Sequence, residues 1–412
     1  NKILLKAKQL LQKRIVVVRE LASFIGLIIN AFYAVFEAPL HYRGMERNKL
    51  KGLGMNMDFD NEVPLSQESI QEIRWWFANV RSKNGKRIRP MKAVKHCRTD
   101  ASFQGWGSID LDTNEYTQGR WNLLESGHSI NYLELLAVFY ALQSLYENTW
   151  GVHIEVESDN QSCIKYINDL GGMLSEEMDL LAKEIWQWCL HREIFISASY
   201  CPGTLNTADF YSRNFSDSTE WMLKREIFVR LCKHFFMPDI DLFASRLNKQ
   251  TEVFVTWFPE PGAFYSNAFS MSWYGYKPYI FPPFSLIGKV INKVVEDQVE
   301  KAILIFPYWK SQPWFPRLID IICSFPVRLP RHKDLLVLPH NYSFHPLCRS
   351  MRLVAVTISG RHSLVREFRN RLPNLSSAPG DQEPESSIEP PGSSGLFGTV
   401  SGLPIHFKRL KL

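Results

Sequence analysis

The sequence predicts an α/β protein of more than one domain, and three observations carry that expectation. From about residue 95 onward, short runs of strand character alternate with helical stretches, the order that lays helices against a sheet. Continuous apolar runs such as Ala302-Ile-Leu-Ile-Phe read as strands buried on both faces. The length of 412 residues is that of two or three domains. Composition agrees, because 45% apolar and 22% charged residues exclude a wholly disordered or fibrous chain.

Residues 1–95 read as a helical segment. Arg19-Glu-Leu-Ala-Ser-Phe-Ile-Gly-Leu-Ile-Ile has helical periodicity, and Ser66 followed by Glu68 marks a capped helix start. The apolar run Leu21 to Phe36 has 16 residues, short of the ~20 that cross a bilayer, so a buried helix and no membrane partner are expected. From 81 to 98 runs a basic tract without an acid: Arg81, Lys83, Lys86, Arg87, Arg89, Lys92, Lys95 and Arg98. Strands follow between 95 and 157, with a Gly105-Trp-Gly turn and alternation in Val152-His-Ile-Glu-Val-Glu. Helices are expected at about 131–146, 160–170 and 176–191, with Gly171-Gly172 as a stop, and a strand at about 193–200. These elements make 96–216 one α/β domain with some antiparallel pairing. A linker helix at 217–236 leads to a second α/β domain at 237–365. The remainder, 366–412, is rich in Pro, Ser and Gly and reads as a disordered tail.

Charge is unevenly spread. Lys/Arg minus Asp/Glu is 18 − 8 = +10 for residues 1–95, 6 − 19 = −13 for 96–220 and 24 − 15 = +9 for 221–412. An acidic centre between basic flanks fits a carboxylate metal site in a chain that grips polyanions. Seven cysteines, an odd number with no C-x-x-C, argue against a disulfide framework or zinc knuckle. No signal peptide is evident, and the start at Asn1 without Met reads as a fragment. An intracellular protein, cytoplasmic or nuclear, is expected.

Four carboxylates stand out: Asp100 in Thr99-Asp-Ala-Ser, Glu134, Asp159 at the end of a strand, and Asp209 in Asn206-Thr-Ala-Asp. Glu134 is the only charge between Ile130 and Tyr146, on a helix apolar on almost every face. A carboxylate buried there needs a cation or a proton, and no basic residue shares the helix. A divalent metal shared with neighbouring carboxylates is the economical partner. Each residue has a plainer reading as well. Asp159 could cap a helix, Asp209 could be an early-turn acid behind Asn206, Asp100 a turn residue, and Glu134 an edge residue. His340, His345 and Cys348 have metal-ligand character but read as surface or core residues.

The order and setting of the four acids resemble the ribonuclease H domain of retroelement polyproteins, and most closely the DIRS-like retrotransposons. The resemblance lies in Thr99-Asp-Ala-Ser, Gly105-Trp-Gly, Asn131-Tyr-Leu-Glu-Leu-Leu-Ala-Val, Glu157-Ser-Asp-Asn and Pro202-Gly-Thr-Leu-Asn-Thr-Ala-Asp-Phe-Tyr-Ser-Arg. It implies an RNase H-like mixed sheet with flanking helices and cleavage of the RNA strand of RNA–DNA hybrids. Asp100, Glu134, Asp159 and Asp209 would be both the catalytic residues and the ligands of two Mg²⁺ or Mn²⁺ ions. Ser102, Asn131, Asn160, Arg213, Arg87 and Arg89 would contact nucleic acid. Where that group usually has a His two residues before Pro-Gly, this chain has Tyr200.

The flanks resemble parts of the same elements. Arg19-Glu-Leu-Ala-Ser-Phe-Ile-Gly, Pro39-Leu-His-Tyr-Arg-Gly and Trp75-Trp-Phe-Ala-Asn resemble a reverse-transcriptase thumb and connection, which implies an upstream polymerase core as partner. Asp241-Leu-Phe-Ala-Ser-Arg-Leu-Asn and Phe281-Pro-Pro-Phe resemble a phage-type adenine methyltransferase, although Phe281 stands where a hydrogen-bond acceptor is required. The expected function is therefore a hybrid-cutting, two-metal ribonuclease. The alternatives are a non-catalytic nucleic-acid-binding remnant and an adenine methyltransferase.

Overall fold

The computed structural model describes residues 2–86, 92–215, 220–347, 350–372, 397–400 and 403–410. The chain forms two compact units, one of residues 1–115, 128–139 and 146–210, the other of 116–127, 140–145 and 211–412. Among the described residues no helix is long and apolar enough to cross a membrane.

The first unit opens with α1 (Lys2–Leu11), α2 (Val18–Asn30), α3 (Arg43–Leu53) and α4 (Gln67–Asn79), with the short strands β1 (Ile15–Val17) and β2 (Glu62–Pro64) paired antiparallel. Helix α2 buries Leu21, Phe24, Ile25 and Ile28, the stripe its periodicity predicts. Helix α4 begins where expected, with the Ser66 hydroxyl accepting the Ser69 N–H at 3.1 Å. The chain continues into five strands, of which β5 falls among the second unit's residues: β3 (Lys95–Ala101), β4 (Gly105–Asp110), β5 (Tyr116–Arg120), β6 (His153–Ser158) and β7 (Phe195–Tyr200). Their sheet has the order β5-β4-β3-β6-β7, with β4 antiparallel to β3 and β6 and β7 parallel to it. The interleaved helices are α5 (Ile130–Leu145), α6 (Gln161–Asn168), α7 (Glu176–His191) and α8 (Ala208–Arg213). Helix α6 stops short of the expected 170. Leu170 and Gly171 turn to positive φ, and a Cβ on Gly171 would collide with Asp179 and the Arg43 guanidinium.

That close approach ties the helical segment to α7 and the loop after α6 within one unit, where the sequence predicts separate domains. Arg43 donates to the carbonyls of Leu170 (2.6 Å) and Asp169 (2.8 Å) and lies 3.5 Å from Asp179. Arg47 bridges Glu68 (2.6 Å) and Asp179 (2.9 Å), and Lys183 bridges Glu68 (2.8 Å) and Glu72 (3.2 Å). Glu72 also accepts the first N–H groups of α3, from Gly44 and Met45. Three cations and three anions thus balance in a largely buried network that ties α3 and α4 to α7.

The second unit contains β8 (Met222–Leu223), α9 (Arg225–His234), β9 (Ile240–Asp241), β10 (Val255–Thr256), β11 (Tyr265–Ser266), β12 (Pro278–Ile280), α10 (Ile287–Glu296), β13 (Ala302–Pro307), α11 (Trp314–Asp320), β14 (Val327–Arg328), β15 (Leu336–Val337), β16 (Leu353–Ile358), α12 (His362–Arg369), β17 (Phe397–Val400), β18 (Leu403–His406) and β19 (Lys408–Arg409). Its six-stranded sheet has the order β19-β14-β16-β13-β12-β9. Every residue of β13 is buried, as its unbroken apolar run predicts. Ile303 and Ile305 pack with Phe228 and Leu231 of α9, while Leu304 and Phe306 join Ile291 of α10 and Leu318 of α11. Helix α9 is therefore core, not the linker expected at 217–236. The tail expected to be disordered from 366 departs from that expectation too. Helix α12 runs through its start, β19 adds to the sheet edge beside β14, and Ile405 and Phe407 are buried in the core. Residues 373–396, the most Pro/Ser/Gly-rich part, lie outside the described residues.

Candidate active site

The site is assembled from the ends of three elements. Asp100 sits near the carboxyl end of β3, where the pairing of Asp100 with Gly107 and Ala101 with Trp106 fixes its register. Glu134 occupies the second turn of α5, a helix whose Leu133, Leu135, Leu136, Ala137 and Val138 are all buried. Asp159 follows β6 directly. Asp100 and Glu134 are 3% and 4% exposed, which excludes the readings of a surface turn and an open edge. Carboxylate oxygens of Asp100, Glu134 and Asp159 all lie within 4.8 Å of one another.

The surroundings hold these acids in place. Asn160, not Asp159, caps α6: its side chain accepts the Cys163 N–H at 2.9 Å. Its amide nitrogen donates to Asn131 Oδ1 at 2.8 Å, linking the end of β6 to the start of α5. Cys163, wholly buried, stays a thiol; burial pushes its pKa well up, and the charges of Glu134 and Asp159 add to that. The buried Asn206 donates to the Thr99 carbonyl at 3.0 Å and lies 3.5 Å from Asp100 Oδ1, while its own oxygen accepts the Ala208 N–H. It thereby connects β3 to α8. Arg98 bridges Glu157 at 2.6 Å and donates to the Leu205 carbonyl, bracing the same loop. A Cβ on Gly203 would stand 3.1 Å from Asp159 Oδ2, so the Pro-Gly turn approaches the site closely.

The remaining expected residues divide. Asp209 lies in the first turn of α8, half-buried, outside the group of three whose oxygens converge. Asn131 and Asn160 meet beside Asp159. The Ser102 hydroxyl accepts the N–H groups of Gln104 and Gly105 and so shapes the β3–β4 turn. Arg213 is exposed on the last turn of α8. Arg87 and Arg89 lie outside the described residues. Tyr200 ends β7, paired with Ser158 and 56% exposed. Asn206 and Gly203 touch the site, and sequence reasoning does not single them out. Their signal is present, an Asn ahead of an acid and a Gly after Pro, but only the close approach of the loop to β3 gives it meaning.

In the second unit Asp241 ends β9, and burial pushes its carboxyl up to about 7. Phe281-Pro-Pro-Phe follows β12. A cavity of about 430 Å³ there is lined by Leu242, Phe243, Ser245, Trp257, Phe258 and Leu286, among others. His345 packs edge-on against Trp221 at 4.5 Å, and Cys348 lies outside the described residues.

No family model matches the chain, and no curated protein matches it. Among solved structures it is similar to LC11-RNase H1 in complex with an RNA/DNA hybrid, with 14% identity over 28% of this chain and 92% of that one (TM-score 0.25). It is also similar to RNase H1 from the halophilic archaeon Halobacterium salinarum NRC-1, with 17% identity over 28% and 92% (TM-score 0.23). A third similarity is to a foamy viral protease-reverse transcriptase in complex with an RNA/DNA hybrid, with 14% identity over 53% of this chain and 30% of that one (TM-score 0.21).

Proposed function

We propose that the chain is a metal-dependent ribonuclease that hydrolyses the RNA strand of RNA–DNA hybrids, the ribonuclease H step of a retrotransposon's reverse transcription. The observation that carries this reading is the convergence of Asp100, Glu134 and Asp159 from three elements to within 4.8 Å. Like charges so close, two of them nearly buried, repel strongly unless a cation lies among them. A donor set made only of carboxylate oxygens suits a hard divalent ion such as Mg²⁺ or Mn²⁺.

Asp100, Glu134 and Asp159 would hold the metal, with Asp209 as the fourth acid on the adjoining helix. Bound there, two such ions would supply Lewis-acid activation of water and charge neutralisation for an in-line phosphodiester cleavage. The protein's own part is positional. Asn206 orients the Asp100 carboxylate, the Asn131–Asn160 pair presents amides at the rim, and Arg213 offers a cation to phosphate. A site of this class tells RNA from DNA by contacts to the 2′-hydroxyl in the wide minor groove of the hybrid. The polymerase that makes the hybrid would be an upstream reverse-transcriptase core.

The test is cleavage by the purified chain of a hybrid labelled on its RNA strand, with Mg²⁺ or Mn²⁺. Asp159→Asn should lower the rate on the order of 100-fold, the effect of removing an ionic interaction of about 3 kcal/mol. Duplex DNA of the same sequence should stay intact. Equal cutting by parent and variant, or equal cutting of duplex DNA, would overturn the proposal.

A further inference from the structure

The sheet of the second unit carries, at the carboxyl end of β13, a basic cluster beside an aromatic groove. Arg328 of β14 pairs with Arg409 of β19 and with Val354 of β16, two residues from Arg352. Arg331 follows three residues after Arg328. Burial lowers the pKa of Arg328, and the charges of Arg331, Arg352 and Arg409, each within electrostatic reach of it, lower it further. Arg331, Arg352 and Arg409 are exposed, and among the described residues none of these three makes an ion pair. Asp334, the acid nearest in sequence, is engaged by Lys224 at 2.7 Å. Three exposed cations gathered around Arg328 repel in the free protein, and a polyanion relieves that repulsion.

The groove adjoins them through the backbone. The Tyr308 N–H donates to the Arg352 carbonyl at 2.8 Å, so Trp309 leaves β13 where Arg352 enters β16. A cavity of about 220 Å³ is lined there by Trp221, Phe281, Phe284, Trp309, His345 and Met351, among others. Trp309 is 40% exposed and meets Phe284 edge-on at 5.3 Å, which leaves part of the indole open to a stacking partner. Clustered arginines beside an open aromatic ring match a ligand that carries phosphates and planar rings together. In a duplex the base faces are hidden in the stack, whereas an unpaired strand offers both features at once.

We propose that this edge of the second unit binds single-stranded DNA, with phosphates on Arg331, Arg352 and Arg409 and bases against Trp309 and the groove. The choice of DNA over RNA rests on the function proposed above, because hydrolysis of the RNA in a hybrid leaves the DNA strand unpaired.

The experiment is fluorescence anisotropy of labelled oligothymidylate with the full chain. Trp309→Ala should weaken binding on the order of tenfold, and Trp309→Phe should retain most of it. The double variant Arg331→Ala/Arg352→Ala should weaken binding and reduce the salt slope by about 1.4, because two phosphates of a single strand are no longer neutralised. Hybrid cleavage by these variants should equal that of the parent, which also shows that they fold. Unchanged oligothymidylate affinity in both variants, or equally tight binding of duplex DNA, would overturn the proposal. Tighter binding of oligouridylate would overturn the assignment to DNA. A parent that binds oligothymidylate in this way but cuts no hybrid would refute the ribonuclease reading and leave the binding surface standing.

Discussion

At the scale of single residues, the chemistry depends on where a few polar groups are held. Tyr200 pairs with Ser158, the residue before Asp159, and is exposed at the rim. Where the resemblance implies the imidazole of a His, a side chain that takes up and releases protons near neutral pH, the chain has a phenol. Tyr200→His should therefore raise the rate of hybrid cleavage, by about tenfold, with little change in stability; an unchanged or lower rate would show that this position takes no part in proton transfer. His41 is a residue of stability instead. It stacks on Trp75 at 3.8 Å, and burial, with the charges of Lys183 and Lys83, pushes its pKa down to about 3. The unfolded chain takes up a proton at His41 below about pH 6.5 while the folded chain does not. Stability is then complete above that pH and falls on acidification, by up to about 2 kcal/mol at pH 5. Urea unfolding of His41→Phe should show that part of the pH slope gone.

At the scale of elements, two joints carry testable weight. Asp179 of α7 faces both Arg43 and Arg47, and it is fully buried. Asp179→Asn leaves two guanidiniums short of charge and should cost about 3–5 kcal/mol in denaturant unfolding. A cost under about 1 kcal/mol would show the network to be ornamental. Phe407, between β18 and β19, is 1% exposed in the core of the second unit, so Phe407→Ala should cost about 3–5 kcal/mol. The sequence makes the periodic elements legible: α2, α4, α5, α7 and the buried β13 lie where their patterns put them. It makes the three converging acids legible as well, because an isolated charge on an apolar helix demands an explanation. It hides what depends on distant partners. The pairing of Arg43 with Asp179 spans 136 residues of chain and leaves no local trace, and β19 has only two residues of sheet to announce it. The core role of α9, a helix the sequence predicts only as a linker, is hidden for the same reason, since its apolar stripe acquires meaning only against Ile303 and Ile305.

At the scale of the whole molecule, the three converging acids and Phe281 fall in different units. The first holds the carboxylates. The second keeps a sheet with helices on both faces, and where the resemblance drawn from the sequence implies an acceptor for an amino group it has the apolar ring of Phe281. Labelled S-adenosylmethionine should transfer no methyl group to adenine in single- or double-stranded DNA, and incorporation above background would give the second unit an activity of its own. In the first unit, the ribonuclease site proposed above depends on Glu134, the one charge on α5. The most direct measurement is the release of labelled RNA fragments from an RNA–DNA hybrid by the full chain in Mg²⁺, for the parent and for Glu134→Gln. Cleavage by the parent and a loss on the order of 100-fold in the variant are expected, with weaker metal binding in calorimetry. Equal cleavage and equal metal binding by the two proteins would contradict the proposed site.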